Sequence, residues 1–324
     1  MSRGGSILVT GATGLIGRAV VERLLTLPGC PVVAAVRSTP ARLPAGVDHV
    51  CVANLTGDAD WRASLTGVDT VVHLAARVHV MHDTNIDPLA EFRRINVEGT
   101  LNLARQAAAA GARRFVFVSS IKVNGEQTAP GRPFRVDDAP APGDPYGVSK
   151  LEAEQGLRNL ASETGLEIVV IRPPLVYGPG VKANFLRMMT WLHRGYPLPF
   201  GAIDNRRSLV ALDNLVDLII TCCQHPNAAQ QTFMVSDGED ISTTERLKRT
   251  AAALGRPARL IPVPAGALRA VARALGKADV AQRLCGSLQV DINQTRRLLG
   301  WAPVVRLDDA LADTARQFLA RAHG

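Results

Sequence analysis

Aromatic residues are scarce in this sequence, at 4% of 324 residues, and no basic run accompanies them. Lysine and arginine (37) exceed aspartate and glutamate (29), giving a formal charge of +8, but the cations are scattered along the chain. Proteins that bind DNA or RNA typically combine a basic face with aromatic side chains on which bases stack. The pattern therefore argues against a nucleic-acid partner and favours small anionic ligands.

Cysteine is also rare, with five residues, an odd number that does not suit a disulfide framework. They are Cys30, Cys51, Cys222, Cys223 and Cys285. None has the C-x-x-C or Cys/His spacing of a zinc site, so reduced and mostly buried thiols are expected. His73, His79 and His82 lie close together in the sequence but have no acidic partner at ligand spacing, which indicates packing rather than metal binding.

Long apolar runs are absent, since none approaches the ~18 residues that span a membrane. The first predicted strand starts about six residues in, which leaves no room for a signal peptide. A cytoplasmic protein without membrane insertion is expected. The segment Pro264–Leu288 mixes alanine and leucine with arginine in a helical pattern. Because its apolar residues are small and it lacks an aromatic face, we interpret it as a surface or interface helix.

The sequence does contain short apolar runs that alternate with helical stretches, which predicts βαβ units around a parallel sheet. Runs such as Ile7-Leu8-Val9 are continuous, as expected for strands covered on both faces. The predicted strands are Ser6–Thr10, Pro31–Val36, Asp48–Val52, Asp69–Leu74, Phe115–Ser119 and Glu167–Arg172. The predicted fold class is α/β, a doubly wound parallel sheet of Rossmann type with a smaller C-terminal substrate-binding lobe.

The second half of the chain is punctuated by glycine and proline, with helices predicted near Asn184–His193 and Asp213–Cys223. We divide the chain into a first domain of Rossmann type at 1–176 and a smaller lobe at 177–324. No flexible Ser/Gly linker marks the boundary, and a return of residues 208–225 to the first domain stays open.

A glycine-rich turn directly follows the first strand and opens an amphipathic helix. Its glycines are Gly11, Gly14 and Gly17. In this context backbone N–H groups at the positive end of the helix can approach a pyrophosphate, which favours a dinucleotide site over a bare tight turn. The cofactor contacts expected within the turn also include Thr13, Leu15 and Ile16.

The end of the second strand, about twenty residues beyond the glycines, distinguishes NAD from NADP. An acidic side chain there would bind the ribose 2′-hydroxyl of NAD, but this chain has Arg37. A guanidinium can hold a 2′-phosphate through a forked, charge-assisted contact. NADP(H) is favoured and NAD(H) stays possible, the alternative being that Arg37 is a solvated loop arginine.

Tyr146 and Lys150 are spaced to share one face of a predicted helix. The pKa of tyrosine is ordinarily about 10, and a neighbouring ammonium stabilises the phenolate and lowers that pKa. Ser119 and Ser120 end a buried strand, where ligands bind in open α/β sheets, and a hydroxyl there can hold a substrate oxygen. The alternatives are a plain helix surface for the pair and a turn cap for the serines.

These motifs together resemble the extended short-chain dehydrogenases/reductases, a family that includes nucleotide-sugar epimerases and 4-ketoreductases. The resemblance runs from about Ser6 to the C-terminus. Besides the glycine turn, it rests on His73-Leu74-Ala75-Ala76, Asn96-Val97-Glu98-Gly99-Thr100, Ser119-Ser120 with Val123-Asn124-Gly125, Tyr146/Lys150, Arg172-Pro173 with Val176-Tyr177-Gly178-Pro179, and Arg207-Ser208-Leu209-Val210 before Asp213-Asn214.

The resemblance implies a catalytic triad of Ser120, Tyr146 and Lys150. It also implies that Asn96 orients the active-site helix and contacts the cofactor. The other implied cofactor contacts are Asn54, Leu55, Leu74, Ala75, Ala76, Tyr146, Lys150 and Pro173. The implied substrate contacts are Arg77, Ser120, Lys122, Phe200, Asn184 and Arg207, the last two facing the nucleotide diphosphate. A homodimer formed through helices near Ile86–Ala110 and Pro145–Thr164 is typical of the family.

Three departures from the family pattern bear on the implied activity. They are Arg37 in place of an acidic residue, Asn54-Leu55 in place of Asp-Leu, and Arg172-Pro173-Pro174 in place of a pattern that commonly carries an asparagine. The leading expectation is NADPH-dependent reduction of the C4 ketone of a UDP-4-keto-6-deoxy-N-acetylhexosamine to UDP-N-acetylquinovosamine, for surface polysaccharide such as O-antigen. A dTDP-linked sugar in place of the UDP-linked one stays open.

Two other functions remain as alternatives. A UDP-glucose or UDP-N-acetylglucosamine 4-epimerase with tightly bound NAD would oxidise C4, turn the ketosugar over and return the hydride. A dinucleotide-binding regulator would keep the fold without the chemistry, because fold does not fix function. The intact set of Ser120, Tyr146 and Lys150 weighs against the regulator.

Overall fold

A parallel sheet dominates the computed structural model, which describes residues 5–38, 43–78, 87–129 and 131–322. In chain order the strands are β1 (Ser6–Thr10), β2 (Val32–Val36), β3 (Asp48–Cys51), β4 (Val68–His73), β5 (Arg114–Val118), β6 (Glu167–Arg172), β7 (Leu175–Tyr177), β8 (Arg207–Ala211), β9 (Thr232–Met234) and β10 (Asp240–Ile241). Seven of them pair in parallel in the order β3-β2-β1-β4-β5-β6-β9. The predicted doubly wound sheet is confirmed.

Helices cover both faces of this sheet and complete the smaller lobe. They are α1 (Leu15–Leu25), α2 (Pro88–Phe92), α3 (Thr100–Ala109), α4 (Pro145–Thr164), α5 (Ala183–His193), α6 (Leu212–Gln224), α7 (Thr243–Ala253), α8 (Ala265–Ala274), α9 (Ala278–Cys285), α10 (Asn293–Leu299) and α11 (Leu307–Ala322). A π-helical segment, Arg93–Gly99, joins α2 to α3. Within the described ranges, none of the helices is long and apolar enough to cross a membrane.

Successive residues of the central strands enter two separate cores. Leu8 packs with Phe115 and Phe117 on one face of the sheet, whereas Ile7 and Val9 belong to the core on the other face. Burying an apolar side chain of this size stabilises the fold by roughly 1.5–3 kcal/mol. Because both faces are covered, the central strands are apolar on both sides, and the ends of the parallel strands meet at one edge.

A second sheet of three strands lies in the smaller lobe, in the order β10-β8-β7, with β8 antiparallel to β10. A third apolar core beneath it includes Met189, Leu247 and Leu311 from α5, α7 and α11. Between β8 and β10 the chain goes back to the large sheet. Ile219 of α6 lies in the same core as Val9, and β9 pairs with β6. The chain therefore crosses between the sheets more than once.

The helical segment Pro264–Leu288 and the cysteines can both be compared with what the sequence predicted. Instead of one helix, Pro264–Leu288 contains α8 and α9, and α8 has no buried residue. The five cysteines are free thiols, and Cys222, Cys223 and Cys285 are buried as expected. Cys51, at the end of β3, is the exposed exception.

Candidate active site

The glycine turn lies where β1 ends and α1 begins. Gly11 has a φ of +67°, and a Cβ added to it would lie 2.9 Å from the backbone nitrogen of Ala75. A Cβ added to Gly17 would meet the carbonyl oxygen of Gly11 at 2.1 Å, so α1 can start this close to β1 only with glycine. Gly14 caps α1 without a side chain. The tight turn that these glycines permit brings the N-terminus of α1 close to the end of β1, and a helix N-terminus in this position fits the pyrophosphate of a dinucleotide.

His73, the last residue of β4, belongs to a buried network that the sequence did not predict. Its Nδ1 lies 2.8 Å from Thr10 Oγ1 and its Nε2 lies 2.9 Å from Thr100 Oγ1. Thr10 Oγ1 also accepts hydrogen bonds from the two backbone N–H groups that follow His73, each at 3.2 Å. Burial, and then the charge of Lys150, lowers the pKa of His73 to about 3. The neutral ring therefore holds the strand end beside the glycine turn.

The other two histidines of that stretch, His79 and His82, lie outside the described residues. Within the part of the chain that the structure describes, no three His, Cys, Asp or Glu side chains could hold a metal ion. His73 uses both ring nitrogens for hydrogen bonds to threonine, as a structural histidine does.

Asn96 connects the loop after β4 to α4. Its Oδ1 accepts a hydrogen bond from the backbone N–H of Arg77 at 2.8 Å, and its Nδ2 donates to the carbonyl of Arg77 at 3.0 Å. Nδ2 also donates to Ser149 Oγ at 3.1 Å, and Ser149 Oγ donates to the carbonyl of Tyr146 at 2.8 Å. Asn96 lies in the π-helical segment, a deformation that often accompanies functional sites. These bonds fix α4 relative to the strand-end loop.

The N-terminus of α4 presents the first residue of the predicted catalytic pair. Asp144 caps the helix by accepting a hydrogen bond from the backbone N–H of Gly147 at 2.7 Å, and Pro145 fills the first helical position. Tyr146 is half-buried, and its ring meets Phe92 edge-on at 6.0 Å between centroids. The cap and this aromatic contact fix where the phenol lies.

Lys150 lies one turn further along α4 and is only 2% exposed. Its Nζ donates a hydrogen bond to the carbonyl of Val118 at 3.0 Å and lies 6.0 Å from the centroid of the Tyr146 ring. Burial lowers the pKa of Lys150 to about 7, while the negative charge of Glu154 acts in the opposite direction. At neutral pH this amine is therefore near the midpoint of its titration.

The electrostatics of Tyr146 differ from the sequence-based expectation that Lys150 lowers its pKa. Burial, and then the charge of Asp144, raises the pKa of Tyr146 to about 12. Burial is the larger cause, and the Lys150 Nζ donates a hydrogen bond to the carbonyl of Val118 and lies 6.0 Å from the centroid of the Tyr146 ring. In this arrangement Tyr146 is a proton donor rather than a base.

The serine pair at the end of β5 divides into an inward and an outward residue. Ser119 is buried and its Oγ donates a hydrogen bond to Glu154 Oε1 at 2.6 Å. Ser120 is half-buried, and its Oγ accepts a hydrogen bond from the backbone N–H of Lys122 at 3.2 Å. Because Ser120 Oγ accepts there, its hydroxyl hydrogen can be donated to a ligand. Ser120 is therefore the candidate catalytic serine.

An ion pair buried behind the site was missed by sequence reasoning. Arg172 Nε and Nη2 donate to the two carboxylate oxygens of Glu154 at 3.0 and 2.6 Å, and Arg172 Nη1 donates to Asn124 Oδ1 at 3.0 Å. The pair ties α4 to β6 and to the segment that follows the serines. Glu154 continues the four-residue spacing of Tyr146 and Lys150, and that spacing could have revealed it.

The remaining predicted cofactor residues lie at the carboxyl ends of the parallel strands. Arg37 is exposed directly after β2, and Asn54 is exposed after β3 with Leu55 half-buried beside it. Pro173 is buried after β6, and its carbonyl accepts a hydrogen bond from the backbone N–H of Ile121 at 3.0 Å. Thr13 is exposed, and the half-buried residues of this edge are Leu15, Ile16, Leu74, Ala75 and Ala76. Parallel strands end at one edge, so the structure brings these residues together.

Two of the predicted substrate residues lie beside the active-site helix. Lys122 Nζ pairs with Asp144 and, at 3.1 Å, with Glu126. Arg77 Nη1 lies 3.9 Å from Glu91 Oε2. The ion pairs of Lys122 leave it less available to a ligand than the sequence implied.

The other predicted substrate residues come from the smaller lobe. Asn184 is exposed in α5, and Phe200 is half-buried in the loop after that helix. Arg207, at the start of β8, donates a hydrogen bond from Nη1 to the carbonyl of Gly286 at 2.9 Å. Burial lowers the pKa of Arg207, and the charge of Glu126 opposes that effect.

The parallel sheet, the glycine turn and the grouping of Ser120, Tyr146 and Lys150 define a dinucleotide-binding protein of the short-chain dehydrogenase/reductase class. Residues 7–236 match the model of the NAD dependent epimerase/dehydratase family, and the chain belongs to that family. The family resemblance read from the motifs is confirmed.

Relatives of this chain match it along nearly its whole length. A protein of Vibrio cholerae named UDP-glucose 4-epimerase is 46% identical over 97% of this chain and 95% of its own length. A Mycolicibacterium smegmatis protein of the same name is 30% identical over 96% of this chain and 97% of its own. The structure of MoeE5 in complex with UDP-glucose and NAD superposes with a TM-score of 0.77 at 26% identity, covering 99% of this chain and 100% of that one.

Proposed function

We propose that the chain is a UDP-sugar 4-epimerase that uses NAD(H). The observation that carries the proposal is the 46% identity to the Vibrio cholerae relative named UDP-glucose 4-epimerase, over 97% of this chain. MoeE5, with UDP-glucose and NAD bound, supports the same substrate class. The epimerase, an alternative in the sequence analysis, therefore moves ahead of the 4-ketoreductase that the motifs favoured.

The cofactor would be held along the carboxyl edge of the large sheet. Gly11, Gly14 and Gly17 would take its pyrophosphate at the start of α1, with Ala75 and Ala76 beside it. When bound, the nicotinamide ring would accept a hydride from C4 of the sugar and return it to the opposite face of the ketosugar.

Tyr146 would exchange a proton with the oxygen on C4. With a pKa of about 12, its phenol is protonated at neutral pH and can serve as the acid, but it can serve as the base only when a cation stabilises the phenolate. Lys150 is the cation within reach, since its Nζ lies 6.0 Å from the tyrosine ring centroid. Lys150 must therefore be protonated, and closer to the phenol, when Tyr146 acts as the base.

Ser120 would hold the same sugar oxygen. Its Oγ already accepts a backbone hydrogen bond, and its hydrogen would be donated to the oxygen that the substrate supplies. Asn184 and Arg207 of the smaller lobe would face the diphosphate.

The test is to incubate the purified protein with UDP-galactose, and separately with UDP-N-acetylglucosamine, and to follow the 4-epimers by NMR. We expect interconversion in the wild type and a loss of about 10²–10⁴-fold in kcat for Tyr146→Phe, because one proton-transfer group is removed. If neither sugar epimerises, or if Tyr146→Phe turns over like the wild type, the proposal is wrong.

A second candidate is the NADPH-dependent 4-ketoreductase, and Arg37 favours it. This arginine is exposed at the end of β2, where a 2′-phosphate would be recognised. The test mixes the protein with NADPH and UDP-4-keto-6-deoxy-N-acetylglucosamine and follows the nicotinamide absorbance. Rapid oxidation that Arg37→Ala slows for NADPH but not for NADH would favour this candidate, whereas no oxidation would exclude it.

We also propose that the protein forms a homodimer and lies in the cytoplasm. A homodimer through α3 and α4 would be detected by light scattering as twice the chain mass of 34.5 kDa, and a monomer would contradict it. A cytoplasmic enzyme that supplies sugars for surface polysaccharide would appear in the soluble fraction of its cell.

A further inference from the structure

Helix α8 presents an apolar face to solvent, where globular proteins usually place polar side chains. None of its residues is buried. Val271 and Leu275, one turn apart, are 60% and 66% exposed, and Val280 of α9 is 50% exposed. The other exposed residues of α8 are small or cationic, namely Gly266, Ala267, Arg269, Ala270, Arg273 and Ala274. An exposed helix surface that has arginine as its only polar residue suits an environment other than bulk water.

Positive charge predominates in the hairpin that α8 and α9 form. Residues 265–285 contain four cations and one acid, namely Arg269, Arg273, Lys277 and Arg283 against Asp279. Asp279 lies in the first turn of α9, where its charge stabilises the helix N-terminus. Among the described residues, no carboxylate forms an ion pair with these four cations. Their charge is therefore available to an anionic surface.

Backbone and side-chain hydrogen bonds hold the two helices of the hairpin together. Gly276 ends α8 with a φ of +66°, and the backbone N–H of Lys277 donates to the carbonyl of Ala272 at 2.7 Å. Arg269 Nη2 donates to the carbonyl of Cys285, the last residue of α9, at 3.1 Å. Helix geometry places the two arginines of α8, one turn apart, along one border of the exposed apolar face. The apolar face and its cationic border therefore form one preorganised surface.

We propose that the α8–α9 hairpin docks the protein on the surface of an anionic phospholipid membrane. Amphipathic helices with cationic borders lie in the headgroup region, where their apolar side chains reach the acyl chains and arginine and lysine meet the lipid phosphates. The apolar side chains of this hairpin are small and include no aromatic anchor. Binding therefore depends on lipid charge and is reversible, and the hairpin lies on the membrane without spanning it.

The charge of the hairpin weighs against a second copy of the chain as its occupant. A symmetric dimer through this surface would bring the cations of the two copies together. Like charges that face each other in a partly desolvated interface repel. An anionic lipid surface instead supplies negative charge along the whole hairpin.

The test is co-sedimentation of the full chain with vesicles of equal parts phosphatidylcholine and phosphatidylglycerol, and with vesicles of phosphatidylcholine alone. We expect the wild type to bind the anionic vesicles far more strongly, and salt to release it. Arg273→Gln/Lys277→Gln should weaken this binding about 25-fold, since each cation near an anionic surface contributes about fivefold. Lys248→Gln/Arg306→Gln makes the same change in net charge at exposed positions outside the hairpin and should bind like the wild type.

An apolar substitution tests contact with the acyl chains. Leu275→Gln should weaken binding to the anionic vesicles at least about threefold. Val304→Gln, at a position 57% exposed outside the hairpin, should not. Absence of wild-type binding to anionic vesicles, or equal losses in the hairpin and control variants, would overturn the proposal. A changed oligomeric state of Leu275→Gln in light scattering, with unchanged vesicle binding, would assign the surface to a second copy and overturn it too.

Vesicle binding needs neither sugar nor cofactor, so this proposal stands apart from the proposed function. The hairpin variants should keep the wild-type rate on a UDP-sugar in solution. Vesicle binding by a protein without epimerase activity would reject the proposed function and support the membrane surface. Epimerase activity without vesicle binding would do the reverse.

Discussion

Burial separates the ion pairs of this protein into two kinds. The side chains of Glu154 and Arg172 are 0% and 2% exposed, whereas that of Arg113, which pairs with Asp69 at the surface, is 43% exposed. An exposed pair contributes about 0–1 kcal/mol, but a buried charge that loses its partner costs about 3–5 kcal/mol.

We expect Glu154→Leu to lower the free energy of unfolding by about 3–5 kcal/mol, because it leaves Arg172 buried and unpaired. Urea denaturation would measure this loss, with Asp69→Asn as the control at about 1 kcal/mol or less. Adding Arg172→Met to Glu154→Leu should recover most of the stability. Equal losses in the two single variants would contradict the assignment of a buried pair.

His73 links stability to pH, since its pKa is about 3 in the folded chain. The unfolded value is about 6.5, so between these values only the unfolded chain binds the extra proton. Protonation then favours unfolding, and stability falls with pH below about 6.5 at about 1.4 kcal/mol per pH unit.

We expect His73→Gln to flatten the pH dependence of the free energy of unfolding between about pH 6.5 and 4, because the residue that takes up the proton is gone. Urea titrations at several pH values would measure it. The matched variant His49→Gln changes an exposed histidine and should keep the wild-type slope. If the free energy of unfolding of His73→Gln depends on pH as steeply as that of the wild type, another group takes up the proton.

Residues whose partners are near in sequence could be predicted, and the others could not. Tyr146 and Lys150 share a helix turn, so their spacing alone indicates them. Thr10 contacts His73, and His73 contacts Thr100. These three residues come from distant elements and meet only in the folded protein. The pKa of Tyr146 was predicted in the wrong direction because burial is not visible in a spacing.

At the level of elements, the junction of β1 and α1 depends on Gly17. A methyl group there would lie 2.1 Å from the Gly11 carbonyl oxygen, so Gly17→Ala must push α1 away from the strand. We expect NAD(H) affinity, measured by nucleotide fluorescence, to fall at least about tenfold as the pyrophosphate site opens. Gly266→Ala is the matched control, because its methyl group would meet nothing within 4 Å. Unchanged affinity in Gly17→Ala would place the cofactor elsewhere.

Six of the seven strands of the large sheet were predicted to within a residue or two, because most of them are continuous apolar runs. The seventh, β9, was not predicted and has only three residues. None of the three strands of the smaller sheet was predicted, and two of them, β7 and β10, have only three and two residues and are too short to show a pattern. The π-helical segment was also missed, because it depends on tertiary hydrogen bonds such as those of Asn96.

Across the whole molecule, buried polar side chains join the two sheets. Tyr177 Oη donates to Asp237 Oδ2 at 2.8 Å, and Asn214 Nδ2 donates to Asp237 Oδ1 at 2.7 Å. Asn214 Nδ2 also donates to the carbonyl of Val305 at 3.0 Å, and its Oδ1 accepts from the backbone N–H of Val304 at 2.8 Å. One amide thus holds α6, the segment after β9 and the segment before α11 together.

We expect Asn214→Ala to lower the free energy of unfolding by about 1–3 kcal/mol for each buried group that it leaves without a hydrogen bond. The substitution should also uncouple the smaller lobe from the large sheet. Hydrogen exchange should then be faster in peptides from β7 and β8 than in peptides from β1 and β4. Asn102→Ala, which removes hydrogen bonds within the large domain alone, is the control. Equal acceleration in both regions would show that the lobes unfold as one unit.

Cys51 gives the molecule a natural attachment point for a probe. It is the exposed thiol on the edge strand β3, three residues before Asn54. Burial raises the pKa of the other four thiols, Cys30, Cys222, Cys223 and Cys285, and so disfavours their reactive thiolate. A maleimide dye would therefore label this edge of the sheet selectively. Its fluorescence would report occupancy of the neighbouring dinucleotide groove in real time, without a turnover assay and without introducing a cysteine.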